Sequence, residues 1–254
     1  MNLVFAIKTR INYLFHARYW NGHRVHSPYT YELITNTIYG KYPYYSFTTI
    51  EKCRRELINS TVKIKLSDRE TTIGKELRRS GKTPKYAQLL QRLAAHNEAK
   101  TIVELGTNMG ISTMYLASNN TKAKVYTYEK EGALTKIAKE NFKKAGLNNI
   151  TVIEGNIDTT LPSTIDKYDK LDLVFIDANH TYEATKRYYT ICTKHRSEKA
   201  IIVLDDIHWS PDMEQIWEEI IADDDVKVSI DLFGMGILIF NKELKKQHYI
   251  VNYL

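Results

Sequence analysis

From residue 101 to residue 204, short apolar segments alternate with stretches in which apolar residues recur at helical spacing. The apolar segments are rich in β-branched residues and predict five strands: Thr101–Leu105, Lys124–Tyr128, Ile150–Glu154, Leu171–Ile176 and Ala200–Leu204. The stretches between them, such as Gly132–Phe142 and Tyr182–His195, predict helices. Apolar strands connected by helices are typical of a parallel sheet that is covered on both faces.

The two ends of the chain differ from this pattern. Residues 226–233 and 237–240 are apolar segments joined by a glycine-containing turn, which predicts an antiparallel hairpin. Before residue 86 the pattern is helical and rich in tyrosine, with Pro28, Pro43 and Pro84 as interruptions. We therefore predict a Rossmann-like, doubly wound α/β sheet of seven strands with a C-terminal antiparallel hairpin in residues 86–254. Residues 1–85 are predicted to form a helical N-terminal extension.

Composition narrows the class of protein. The chain has 254 residues, of which 43% are hydrophobic and 26% are charged, as expected of an ordered globular protein rather than a disordered one. Cys53 and Cys192 form no CxxC pair, so a disulfide framework or a cysteine zinc site is excluded. The apolar runs are too short to span a bilayer, and the first residues do not resemble a signal peptide. These features predict a cytoplasmic location and no membrane partner.

Charge is distributed unevenly along the chain. Residues 1–100 carry 18 Lys and Arg against 7 Asp and Glu, whereas residues 101–254 carry 18 against 23. A basic segment can bind nucleic acid or another polyanion, because its cations release counterions from phosphates. It is also typical of a solvated helical surface, and no block of six like charges occurs here. The charge pattern therefore favours a polyanionic partner only weakly.

A glycine-containing loop follows the first of the five strands. The loop, Gly106-Thr-Asn-Met-Gly110-Ile-Ser112, leads directly into a predicted helix. Glycines allow tight backbone turns, and a helix N-terminus favours a polar or anionic ligand. The next strand ends at Glu129, where nucleotide-binding folds place a carboxylate that binds ribose hydroxyls. The GxxxG spacing differs from the GxGxxG of dinucleotide-binding proteins, which disfavours a nicotinamide cofactor.

The segment from Glu104 to Ser112, with Glu129 and the closing hairpin, resembles the class I S-adenosylmethionine-dependent methyltransferases. Within that group it is similar to the catechol, caffeoyl-CoA and macrocin-type O-methyltransferases, and the resemblance covers about residues 86–240. His26–Tyr29 and Asp205–Pro211 resemble segments of uncharacterised bacterial methyltransferases. The resemblance implies S-adenosylmethionine as the cofactor.

The resemblance also implies roles for individual residues in binding that cofactor. Glu104, Gly106 and Gly110 would shape the pocket for its methionine end, and Ser112 would hydrogen-bond its carboxylate. The ribose hydroxyls would be bound by Glu129. The adenine would lie against Asn156 and Ile157, and Asp177 would complete the site.

Three aspartates follow two neighbouring predicted strands. Asp177 follows Leu171–Ile176, and Asp205 and Asp206 follow Ala200–Leu204. Carboxylates that converge must be solvated, protonated or neutralised by a cation such as Mg²⁺. They could instead cap the following helices or hydrogen-bond the following loops. The resembling O-methyltransferases use aspartates at these places as metal ligands, and both interpretations stay open.

A base is also needed if a hydroxyl group is the acceptor. His180 lies three residues after Asp177, where catechol-type enzymes carry a lysine base, so His180 and Asp177 are the candidate catalytic residues. The sugar enzymes favour an aspartate where this chain has Asn179, which cannot act as a base. His180 could also be a structural histidine, and His208 is the reserve candidate.

Together these observations predict methyl transfer to a hydroxyl oxygen of a small molecule or sugar, with the Mg²⁺ requirement left open. The alternative is an RNA methyltransferase that uses the basic N-terminal region, although this chain lacks the Asn/Asp-Pro-Pro-aromatic motif after Ile176. Nucleic acid is therefore not the favoured partner. A third hypothesis is a nucleotide-binding protein without methyltransferase activity. The tyrosines of segments 23–31 and 41–45 are predicted to cover the crevice or a partner subunit, so a homodimer is left open.

Overall fold

The computed structural model describes residues 3–42 and 44–253. Residues 1, 2, 43 and 254, among them Pro43 and the outer ends of both predicted domains, lie outside the described residues. The α-helices are α1 (Leu3–His16), α2 (Pro28–Glu32), α3 (Tyr45–Ile58), α4 (Ile73–Ser80), α5 (Pro84–His96), α6 (Ile111–Ser118), α7 (Gly132–Lys144), α8 (Ile157–Thr164), α9 (Tyr182–His195) and α10 (Pro211–Ala222). The strands are β1 (Lys63–Lys65), β2 (Glu70–Thr72), β3 (Thr101–Leu105), β4 (Lys124–Glu129), β5 (Ile150–Glu154), β6 (Leu171–Ile176), β7 (Arg196–Asp205), β8 (Val228–Asp231), β9 (Met235–Ile239) and β10 (Gln247–Ile250).

The chain forms two compact units. The middle unit comprises residues 41–169, and the terminal unit combines the residues up to 40 with those from 170 onward. In the middle unit, β3, β4 and β5 are parallel, and β4 lies between the other two. Every residue of β3 is buried, and α6 and α7 share a hydrophobic core that includes Met114, Ala138 and Phe142.

The terminal unit contains the other five strands of the sheet. β6 and β7 are parallel, β9 is antiparallel to β7, and β8 is antiparallel to β9. β10 then pairs parallel to β8 at the edge. Because β6 and β7 are parallel neighbours, their carboxyl ends lie side by side, which is where the predicted aspartates follow.

Helix starts in both units are specified by short polar side chains. Asn156 caps α8 through the N–H of Asp158, Thr181 caps α9, and Ser210 caps α10 and is followed by a proline in the first turn. Each of these oxygens accepts a hydrogen bond from a backbone N–H that the helix itself leaves unpaired. The caps therefore fix where the loops after β5, β6 and β7 end.

The predicted Rossmann-like α/β class is confirmed: the central sheet is mostly parallel and has the predicted antiparallel hairpin, β8–β9. Within residues 3–42 and 44–253 the sheet has eight strands rather than seven, because β10 is short and only partly buried and so lacks a clear apolar pattern. The predicted helical extension also contains the β1–β2 hairpin, whose strands have three residues each. The division at residue 85 stays a prediction. Among the described residues, no helix is long and apolar enough to cross a membrane.

Candidate active site

The loop between β3 and α6 has the tight backbone that its glycines predict. Gly106 has φ of +111° and Gly110 has φ of +83°, a region that side-chain-bearing residues rarely adopt. A Cβ atom on Gly110 would lie 2.4 Å from a ring carbon of Phe142 in α7. Gly110 is therefore required by its backbone conformation and by the close approach of a neighbouring helix.

Glu104 lies beneath this loop and is fully buried. Its Oε2 accepts hydrogen bonds from the hydroxyls of Thr113 in α6 and Thr127 in β4, the latter at 2.7 Å. The Thr127 hydroxyl lies 2.6 Å from that of Thr107 in the loop. The carboxylate thus connects β3, β4, α6 and the loop, and it supports the candidate cofactor site from below.

Glu129, at the end of β4, is almost buried and faces the same loop. Its Oε2 accepts a hydrogen bond from the backbone N–H of Asn108 at 2.8 Å, and its Oε1 accepts one from the N–H of Glu131 at 3.0 Å. Burial raises the pKa of Glu129, and these N–H groups oppose the rise. Each carboxylate oxygen still has lone-pair capacity for a ligand hydroxyl.

Asn108 is a loop residue that the sequence analysis missed. It adopts φ of +50°, its Oδ1 accepts from the N–H of Met109 at 2.7 Å, and its Nδ2 donates to Ser80 at 2.7 Å. Its own N–H is the one that binds Glu129. The sequence could have indicated this conformation, since asparagine is among the few residues other than glycine that tolerate positive φ.

The remaining predicted cofactor residues belong to the starts of helices in the middle unit. Ser112 lies in the first turn of α6 and is buried, with 7% of its surface exposed. Asn156 is the N-cap of α8 and is exposed, whereas Ile157 is buried. All of the predicted cofactor residues except Asp177 therefore lie within the middle unit.

Asp177, His180 and Asp205 come together in the terminal unit. One ligand atom from each lies within 4.8 Å of the other two, and His180 Nε2 is 3.5 Å from Asp177 Oδ1. Asp205 is buried, and the other two residues are partly buried. The turn between them is constrained, because Asn179 and His180 have positive φ and the Asn179 amide donates to the Tyr188 hydroxyl at 2.6 Å. We call these three residues the carboxylate–histidine cluster.

The alternative that these aspartates cap helices is wrong. The N-cap of α9 is Thr181, whose hydroxyl accepts from the N–H of Ala184, and the N-cap of α10 is Ser210, whose hydroxyl accepts from the N–H of Met213. Helix starts therefore do not require Asp177 or Asp205 at these positions.

Asp206 was predicted as a third carboxylate ligand but does not belong to the cluster of ligand atoms. It has φ of +52°, and its backbone N–H donates to the carbonyl of Gly234. Asp206 instead lines a cavity of about 400 Å³ in the terminal unit. Residues of α1, of the loop after β7 and of the β8–β9 turn complete its lining, namely Ala6, Ile7, Arg10, His208, Trp209, Phe233 and Gly234.

His208, the reserve base, has both ring nitrogens occupied. Nδ1 lies 2.9 Å from Glu214 Oε1 and Nε2 lies 2.8 Å from Asp231 Oδ2. Burial acts to lower the pKa of His208, but the hydrogen bonds and charges of Asp231 and Glu214 outweigh it and raise the pKa. Because both ring nitrogens already bind carboxylates, His208 has no free nitrogen to accept a proton from an acceptor hydroxyl and is unsuited to that role.

Comparison with known protein families matches residues 103–207 to a family described as a methyltransferase domain. The matched segment, residues 103–207, is similar to a methyltransferase domain, and we call it the methyltransferase domain. The resemblance to O-methyltransferases that the sequence predicts is confirmed. The methyltransferase domain includes the glycine loop, Glu129 and the carboxylate–histidine cluster.

Curated relatives of the methyltransferase domain include the catechol O-methyltransferase of Mycobacterium tuberculosis, which is 30% identical over 134 residues. That alignment covers 52% of this chain and 59% of the relative. Another, from Niastella koreensis and also described as a catechol O-methyltransferase, is 32% identical over 100 residues. The chain thus spans about half the length of the curated relatives it matches, from 44% to 59%.

Solved structures share the fold over most of the chain. The O-methyltransferase from Bacillus cereus, in complex with SAH, has a TM-score of 0.62 at 21% identity and covers 83% of this chain and 96% of its own. The O-methyltransferase TomG from Streptomyces achromogenes, in complex with SAM, has a TM-score of 0.60 at 20% identity. The alignment covers 78% of this chain and 91% of the TomG chain. At these identities the likeness shows the fold of the methyltransferase domain.

Proposed function

We propose that this protein transfers the methyl group of S-adenosylmethionine to a hydroxyl oxygen of a small-molecule acceptor, with the help of a divalent cation. The observation that carries the proposal is the carboxylate–histidine cluster, in which two carboxylates and an imidazole converge at the ends of β6 and β7. Such a cluster offers both cation ligands and a base, each of which assists transfer to a hydroxyl oxygen. The relatives described as O-methyltransferases support the same class of reaction.

The middle unit would bind the methyl donor. Glu129 would accept hydrogen bonds from the two ribose hydroxyls, since its carboxylate is already oriented by the N–H groups of Asn108 and Glu131. Ser112, in the first turn of α6, would bind the carboxylate of the methionine end, where the helix N-terminus favours negative charge. Asn156 and Ile157 would lie against the adenine.

The donor set of the cluster fits a divalent cation. Asp177 and Asp205 supply the carboxylate oxygens that Mg²⁺ prefers, and Asp205 is buried. Bound to these residues, the cation would lower the pKa of an acceptor hydroxyl and orient its oxygen.

In the proposed reaction the acceptor oxygen forms a bond to the methyl carbon while the carbon–sulfur bond of the donor breaks. S-adenosylhomocysteine leaves with the electron pair of that bond, and the hydroxyl proton passes to the imidazole of His180. Asp177 Oδ1, 3.5 Å from His180 Nε2, stabilises the imidazolium that forms. The residues of the chain thus contribute orientation and one proton transfer.

The same geometry would also allow His180 to be a third metal ligand. The two roles predict different outcomes for the His180→Ala variant. A base is required for turnover but not for metal affinity, so calorimetric Mn²⁺ binding would be retained while methyl transfer falls. If His180 is a metal ligand instead, His180→Ala should lower both Mn²⁺ affinity and the rate of methyl transfer. We assign the base role, which a loss of Mn²⁺ affinity in His180→Ala would contradict.

The proposal is tested by following transfer of labelled methyl groups to a panel of catechols and sugars, with Mg²⁺ or with EDTA. We expect transfer that EDTA abolishes and that Asp205→Asn reduces on the order of a hundredfold. Asp212→Asn, a change at an exposed aspartate in α10, is the matched control and should leave the rate unchanged. Full activity in EDTA and in Asp205→Asn would contradict the metal-assisted reaction.

The RNA alternative gains no support from the basic N-terminal region. Arg54 pairs with Glu51, and Arg69 and Arg79 both pair with Glu76, so part of the positive charge is neutralised within the protein. We therefore keep small hydroxylated molecules as the proposed acceptors.

A further inference from the structure

Helix α1 exposes a continuous apolar face. Its members lie three and four residues apart, so they share one side of the helix, an arc about 100° wide. They are Val4, Ile7, Ile11, Leu14 and Phe15, with exposed fractions of 73, 52, 50, 51 and 73%. Trp20, in the 3₁₀ turn that follows, is 69% exposed. We call these six residues the apolar face.

The opposite side of α1 is attached to the terminal unit. Thr9 and Tyr13 are buried there, and the ring of Tyr13 lies 5.1 Å from that of Phe233. The Tyr13 hydroxyl donates to the carbonyl of Val251 and accepts from the N–H of Tyr253 at 3.2 Å. These contacts fix the rotation of the helix, so Val4, Ile11, Leu14 and Phe15 point away from the core to which α1 is bound. Ile7, at one edge of the apolar face, and Arg10 beside it also line the cavity that Asp206 lines.

Positive charge borders the apolar face on both sides. At helical spacing Lys8 lies along one edge and Arg10 along the other, and Arg18 follows two residues after the end of the helix. None of these three side chains pairs with an acidic group among the residues that the structure describes. The first 31 residues of the chain contain no Asp or Glu.

This arrangement decides between two occupants. A second copy of the chain could pack its α1 against the first, because the spacing of positions 4, 7, 11 and 14 is that of a coiled-coil seam. Lys8 and Arg10 would then flank the seam in both copies, with no acidic residue to pair them. An anionic lipid surface avoids this repulsion, since it offers an apolar interior and negatively charged headgroups.

We propose that α1 and Trp20 form a site that binds the surface of an anionic membrane. The apolar face enters the boundary between headgroups and acyl chains, and Lys8, Arg10 and Arg18 keep their charges at the headgroups. Trp20, exposed in the turn that follows α1, supplies an amphipathic ring of the kind that is favoured at that boundary. This is peripheral binding by a helix that lies in the surface, which needs no long apolar run, so it would replace the earlier prediction of no membrane partner. It is independent of the reaction proposed above.

The test measures co-sedimentation of the full chain with vesicles of phosphatidylcholine alone and of phosphatidylcholine with phosphatidylserine. We expect binding to the anionic vesicles and much weaker binding to the neutral ones. Ile11→Asp combined with Phe15→Asp should lower the partition coefficient by roughly tenfold or more. Loss of each basic residue should lower it about fivefold on anionic vesicles, so Lys8→Gln with Arg10→Gln should lower it about 25-fold.

Matched controls lie elsewhere on the surface. Val62→Asp changes another exposed apolar residue, and Lys122→Gln removes a charge outside α1. Both variants should bind vesicles as the unchanged protein does. Equal binding by all variants, or equal binding to neutral and anionic vesicles, would overturn the proposal. The proposal would also be overturned if the protein did not bind vesicles but formed a stable dimer, measured by light scattering, that Ile11→Asp dissociates. A second copy of the chain would then occupy the apolar face.

Discussion

The glycine loop of the middle unit and the carboxylate–histidine cluster of the terminal unit are built in different ways. The loop is determined by its own backbone: Gly106, Asn108 and Gly110 have positive φ, and Glu129 is bound to N–H groups of the loop and the next turn. The cluster is made by two parallel strands that bring like charges together. We infer that substitutions in the loop affect folding, whereas substitutions in the cluster affect chemistry and leave folding intact.

Among these variants, Gly110→Ala is expected to have the largest effect on the stability of the fold. The new methyl group would require a strained backbone and would overlap Phe142, so the free energy of unfolding should fall by about 3 kcal/mol. Chemical denaturation monitored by circular dichroism measures this change.

Gly146→Ala is the matched control. Gly146 also has positive φ, but nothing lies within 4 Å of an added Cβ atom. Gly146→Ala should therefore lower the free energy of unfolding by about 1 kcal/mol, which is the effect of the backbone strain alone. If both variants lose the same stability, the close approach of Phe142 does not constrain the loop.

A smaller and opposite effect on stability is expected for Asp177→Asn and Asp205→Asn. Removing one of two facing carboxylates relieves repulsion, so neither variant should be less stable than the unchanged protein when EDTA is present. Mg²⁺ should raise the melting temperature of the unchanged protein but not of the variants, because only a bound ligand shifts the unfolding equilibrium. Differential scanning fluorimetry with and without Mg²⁺ separates the two effects. Marked destabilisation of either variant in EDTA would mean that the aspartates are structural.

The smallest effect concerns His208, which lies near the cluster but outside it. Its pKa is raised in the folded protein, so the stabilisation it provides is complete below its ordinary pKa of 6.5 and is lost as the pH rises through the folded value. His208→Gln should therefore cost on the order of 1 kcal/mol below pH 6.5 and progressively less above it. Denaturation at a series of pH values checks this, and a difference that does not depend on pH would contradict it. The pKa of the nearby His248 is lowered mainly by burial and also by the charge of His208, so part of the pH dependence of His208→Gln comes from the change at His248.

The sequence predicts the parts of the molecule that local patterns determine. The sequence predicts the alternating strands and helices because buried strands require runs of apolar residues. It predicts the loop between Glu104 and Glu129 because a tight turn of this kind requires glycines. The cluster was predicted only in part. Asp177 and Asp205 follow from the ends of parallel strands, but Asp206, the next residue along the chain, lines the cavity instead of joining the cluster, and its residue type does not reveal this.

Other features depend on distant residues and leave no local signal. His208 is occupied by Glu214 and Asp231, which lie on different elements of the terminal unit. The apolar face of α1 could not be recognised either, because a helical apolar pattern is the same whether it faces a core or a partner. Only the attachment of Tyr13 to Val251 and Tyr253 shows which side is outward.

Calorimetric binding of S-adenosylhomocysteine to the unchanged protein and to Glu129→Ala tests whether the glycine loop holds the methyl donor. We expect binding to the unchanged protein and a loss of roughly a hundredfold in affinity in the variant, since two hydrogen bonds to a charged group are removed. We also expect that NAD does not compete. Failure of the unchanged protein to bind, or displacement by NAD at equal concentration, would contradict a methyl-donor site in the glycine loop.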